Sequence, residues 1–84
     1  MLFMELKDTV QMMCSEDYKE RFKAEYHQLK IRCEKLADLM YRYAQNDLDF
    51  ELSCPVDLLT AQLGTMNAYL LFLKQRAKIE DIPL

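Results

Sequence analysis

Apolar residues follow a helical rhythm along most of this chain. From Phe22 they recur at Tyr26, Leu29, Cys33, Leu36, Met40 and Tyr43, in alternating steps of four and three. Such an unbroken heptad seam predicts a helix over about residues 16–45, on the order of 40 Å long at 1.5 Å per residue. Asp17 followed by Glu20 fits a capping box at its start, with Ser15 as the competing cap. A second seam, Leu59, Leu63, Met66, Leu70, Leu73 and Ala77, predicts a helix over about residues 55–79. Pro55 is tolerated in its first turn and Pro83 stops the chain soon after it. Near the N-terminus, Phe3, Leu6, Val10 and Met13 form one stripe of a short helix over about residues 2–14, with Leu2 and Met12 outside it.

Between the two seams the pattern changes. Asn46-Asp47 is a stop signal, and Leu48, Phe50 and Leu52 then alternate with Asp49, Glu51 and Ser53. That alternation is strand-like, but one strand has nothing to pair with, so an extended loop pinned by its apolar residues is expected. The fold class follows: all-α, a single domain over residues 1–84, an antiparallel hairpin of two long helices plus a short N-terminal helix. The short helix lies across the hairpin or reaches a neighbour. Leu29, Leu36, Leu63 and Leu70 are the expected hairpin core. The second long helix carries a further apolar stripe, Thr65, Tyr69, Phe72 and Ile79. A two-helix hairpin cannot cover both stripes. The surplus predicts a homo-oligomer with Tyr69 and Phe72 in its interface, unless the N-terminal helix alone covers them.

Composition narrows the picture. One Gly and two Pro in 84 residues argue against a turn-rich β fold and exclude a glycine-rich phosphate loop. Cys14, Cys33 and Cys54 match no metal-binding spacing and read as reduced core thiols, so no metal is expected. Charges at Glu5, Lys7 and Asp8 break any signal-peptide core, and no stretch approaches the ~20 uncharged apolar residues of a spanning helix. A cytoplasmic protein with no membrane partner is the expectation.

The net charge of −3 hides an asymmetry. Between Lys19 and Arg42 stand seven Lys/Arg and four acids, a net +3; the remainder holds four and ten, a net −6. Lys19, Lys23, Tyr26 and Lys30 fall within about 60° of one another on the helix, flanking the seam, with Arg21 and Arg32 on the other flank.

Catalytic chemistry finds no support. His27 is the only histidine and sits mid-helix among charges, where a solvated surface role explains it. Asp47, Asp49 and Glu51 lie in a loop without fixed geometry, and no nucleophile motif is present. A non-enzyme without cofactors is expected. The stripe Lys19–Lys23–Tyr26–Lys30 has what an anionic, ring-bearing ligand needs: ammonium groups for phosphate and a phenol ring for stacking. It reads equally as a solvated lysine face beside a core tyrosine. Duplex nucleic acid is not an expected partner, because the basic stripe is short and the chain acidic.

Two blocks of residues carry a resemblance. Arg21-Phe22, Glu25-Tyr26-His27-Gln28-Leu29 and Glu34-Lys35-Leu36 form one; Leu59, Gln62-Leu63, Met66, Tyr69, Leu73 and Arg76 form the other. Together, over roughly Tyr18 to Ile79, they resemble a family of very small phage proteins first catalogued in crAss-like phages. That family includes the anti-CBASS sponges that sequester cyclic oligonucleotides. The resemblance implies a helical protomer assembled as a hexamer in the cytoplasm of the infected host. It further implies binding of cyclic di- and trinucleotides between protomers, without cleavage, and so immune evasion. In the family a Tyr and a Lys of the first long helix contact the dinucleotide, and Tyr26 is the nearest candidate here for the stacking ring. The N-terminal helix is longer than in that family, and the loop carries Phe50 and Pro55. The alternative reading is a helical protein-binding inhibitor or accessory protein of a phage, of anti-CRISPR or anti-restriction type.

Overall fold

A computed structural model describes residues 4–84. A 3-10 turn, Leu6–Thr9, runs into a single α-turn, α1 (Val10–Met13). Two long helices follow, α2 (Tyr18–Ala44) and α3 (Val56–Glu80), and no strand occurs among the described residues. The hairpin is as expected. The N-terminal helix is shorter and partly 3-10, and Leu2 and Phe3 lie outside the described residues.

Local chemistry explains the ends. Asp17 caps α2, its Oδ1 accepting from the Lys19 amide at 3.0 Å. Ser15 supports it, its Oγ accepting from the Asp17 amide at 3.1 Å. That amide is what a capping box would have given to Glu20, whose carboxylate meets Lys23 Nζ at 3.1 Å instead. At the far end Asn46 adopts a left-handed conformation, φ 56°. The Asp47 amide then bonds the Arg42 carbonyl at 2.8 Å and the Asn46 amide the Tyr43 carbonyl at 3.0 Å, a Schellman motif. The end of α3 repeats it: Asp81 has φ 59°, and the Ile82 amide reaches the Ala77 carbonyl at 2.8 Å. Pro55 stands just before α3 as its N-cap rather than inside its first turn.

The seams pack unevenly. Phe22, Tyr26, Leu73, Ala77 and Ile82 form the buried cluster, with Leu29 and Leu70 against it. Leu73 has no exposed surface. The cluster joins the start of α2 to the end of α3. Toward the loop the seam loosens: Leu36, Met40, Leu59 and Leu63 are half-buried and Tyr43 is exposed. Of the four leucines expected at the centre of the core, all are half-buried. Leu73 holds the centre, in one buried cluster with the aromatic residues Phe22 and Tyr26.

The N-terminal segment lies on α2 alone. Its buried contribution is Thr9, not the expected apolar stripe; Val10 and Met13 remain exposed. The Thr9 hydroxyl donates to the Leu6 carbonyl at 2.7 Å and accepts from Gln28 Nε2 at 2.8 Å, so its burial leaves nothing unpaired. Beneath it α2 buries Ala24 and Ile31. Packed there, the segment leaves the outer stripe of α3 uncovered.

Leu73→Ala should therefore cost about 2–5 kcal/mol, and Leu63→Ala less, in urea unfolding of the same preparation. Gly64 interrupts α3 with open space where a Cβ would go. Gly64→Ala is expected to raise stability by up to about 1 kcal/mol. A loss instead would locate another chain's backbone against Gly64.

Candidate functional site

The residues singled out for an anionic ligand do not share one environment. Lys19 and Lys23 are half-buried and Lys30 is exposed. Lys23 is ion-paired to Glu20 on the same helix. Tyr26 is 7% exposed and belongs to the core cluster, so within the protomer its ring faces stand inside the hairpin. The ring beside the lysines is His27, edge-on to Tyr26 with centroids 5.2 Å apart. Burial, Lys30 and Lys23 each push the His27 pKa below the ordinary histidine range, in that order of importance. The stripe is thus a field of positive charge that disfavours one more proton.

Tyr69 and Phe72 are 44% and 63% exposed on the protomer. The Tyr69 hydroxyl donates to the Glu25 carboxylate of α2, so its tip is tied across the hairpin while the side chain stays exposed. Leu58, Leu71 and Ile79 are also exposed on α3, and no charge occurs from Leu58 to Leu73. Thr60 and Thr65 satisfy their hydroxyls on the carbonyls of Val56 and Ala61, four residues back, at 2.8 and 3.2 Å. The chain exposes 6510 Å², whereas a folded monomer of 10.0 kDa exposes about 5,200 Å². α3 is also long and apolar enough to cross a membrane by length and composition, with mean hydropathy 1.2 and 6% of that window buried. The sequence expectation had set such a span aside because the purely apolar run, residues 68–73, is far shorter than a spanning helix.

Only Cys33 is a core thiol. Burial first, and Glu34 second, push its pKa up, so it stays protonated. Cys14 and Cys54 are exposed, contrary to expectation, because the turn after α1 and the loop before α3 both run along the surface. Among the described residues no group of three or more His, Cys, Asp or Glu could hold a metal ion.

Three grooves mark the surface. One of about 610 Å³ lies at the loop, between Tyr43, Asn46, Phe50 and Cys54. The other two flank the N-terminal segment, on either side of Lys35 and Leu39. The one facing α3, about 460 Å³, brings Arg32 and Lys35 opposite Gln62 and Met66. None of the three is lined by Lys19, Lys23, Tyr26 or Lys30. Sequence reasoning had placed Arg32 on the second flank of α2 but had no partner for it. The hairpin brings Gln62, part of the second block of resemblance, to the opposite wall of the same groove.

The unfolded chain titrates its histidine near pH 6.5 and the folded chain lower, so acid protonates the unfolded state first. Melting temperature should fall as pH drops through about 6.5 and on through the lower folded value. His27→Gln should flatten that part of the profile in thermal scans.

Among known families, the one described as Sequestin matches residues 16–79, more than half of the chain. The segment that carries Leu6 and Thr9 precedes the matched region. Neither a curated protein nor a solved structure matches the chain at a significant level.

Proposed function

The chain belongs to the Sequestin family, and from that premise we propose that it is a phage-encoded sponge for cyclic di- or trinucleotide second messengers. The family's name denotes sequestration, a binding role rather than a catalytic one. The observation that carries the ligand class is the cationic stripe of α2, Lys19, Lys23 and Lys30, the last two close enough to the His27 ring to lower its pKa. A cyclic oligonucleotide presents phosphates to such a stripe and bases to a ring, and it is released unchanged. In this reading the ligand sits where two protomers meet, Tyr26 offers its edge once a second chain completes the site, and the phage denies the host's defence effectors their signal.

The same reading makes the protein a homo-oligomer in the cytoplasm of the infected host, a hexamer by its resemblance to the anti-CBASS sponges. Tyr69 and Phe72 lie in the interface. The uncovered, uncharged face of α3 supports it, since association removes that area from water. The same face favours a second reading, a protein-binding inhibitor of a phage, with a host protein in place of another copy.

Calorimetry against cyclic di- and trinucleotides separates the two. The sponge reading expects binding with intact ligand recovered afterwards, and a scattering mass several times 10.0 kDa, six times for a hexamer. Lys23→Ala and Lys30→Ala should each weaken binding at least tenfold, about 1.4 kcal/mol or more, with the oligomer preserved. Added salt should weaken it as well. A monomer that binds no cyclic nucleotide at high micromolar concentration would leave the inhibitor reading.

A further inference from the structure

We propose that the groove between the N-terminal segment, α2 and α3 is a second nucleotide site, separate from the lysine stripe and complete within one protomer. It rests on the sponge reading for the ligand's class and adds where one base–phosphate unit of that ligand is held. The groove has an apolar floor, Leu36, Leu39 and Met66, all half-buried, and a wall from Leu6. Arg32 and Lys35, one helical turn apart, stand on its α2 rim. Both are exposed, and neither forms an ion pair among the described residues. The acids nearest in sequence, Glu34 and Asp38, line the neighbouring groove on the far side of Lys35. Lys35 borders that acidic groove as well, so Arg32 is the cation that lines this groove and not its neighbour.

Across the groove Gln62 presents an amide whose nitrogen lies 3.6 Å from the Met66 sulfur, a weak contact that leaves its carbonyl oxygen unengaged. Each part matches a part of a nucleotide. The leucine and thioether floor takes the face of a base. The Gln62 amide pairs with a purine edge, as Gln does with adenine. The guanidinium and ammonium take the phosphate. The volume, about 460 Å³, falls among those of small-molecule pockets. Leu6, which forms this wall, belongs to the segment before the family-matched region.

The test uses the full chain with its methionine methyls labelled by carbon-13, titrated with 3′,3′-cyclic di-AMP, cyclic di-GMP and cyclic triadenylate. Calorimetry runs in parallel. The expected result is a shift of the Met66 methyl resonance on saturation. The Arg32→Ala/Lys35→Ala double variant should need at least tenfold more ligand to reach it, with an unchanged circular dichroism spectrum. Lys78→Ala, exposed and remote in sequence, is the control. Binding heat with the Met66 methyl unmoved overturns the groove and leaves the sponge reading standing. No heat and no shift with any of the three ligands overturns both.

Discussion

Leu73 is fully buried in one cluster with Phe22 and Tyr26 of α2, and the register of the hairpin depends on that packing. Phe22 and Tyr26 are one turn apart, so a leucine seated in the same cluster limits how far α3 can slide along α2. Ala77 lies one turn further on and is small enough for the helices to close together. Ile82 then folds back under the Schellman turn to cover the end. Outside the cluster, the Arg76 guanidinium sits over the Phe22 ring at 4.9 Å and bonds Glu80 at 3.4 Å. Everything nearer the loop inherits its alignment from this end.

Burying Tyr26 to make that contact has a functional side. A ring placed at a packing seam cannot also be a free platform in the same protomer. The charged residues near it are left with His27 as their aromatic neighbour, whose proton affinity is lowered first by burial and then by Lys30 and Lys23. An anion arriving there would relieve the repulsion and raise the affinity of His27 for a proton. In the proposed sponge reading, ligand uptake would therefore be coupled to proton uptake.

The hairpin was legible because heptad spacing is a property of one strand of sequence. Each seam could be read without its partner, and Asn46 announced the turn between them. Burial along the seam was not legible, since it depends on which end of each helix meets the other. Leu29 and Leu73 look alike in spacing and differ in the structure. The N-terminal stripe failed for a related reason. Thr9, a polar residue, is the buried one because Gln28 offers it a partner, and hydrophobic periodicity cannot register a hydrogen bond between residues nineteen apart. Arg32 and Lys35 stood in the first block of resemblance or on the second flank from the start. Their groove became visible only when α3 placed Gln62 and Met66 opposite.

The uneven seam also sets how the molecule breathes. A hairpin clamped at its open end and half-packed toward its loop has no single opening energy. The turns around Met40, Tyr43 and Leu59 can part and reclose while Leu73 stays seated, so local opening costs a fraction of global unfolding there. Backbone amides near the loop would exchange with solvent long before those beside Phe22. A molecule that wedges between the helices would enter from the loop and be stopped by the clamp.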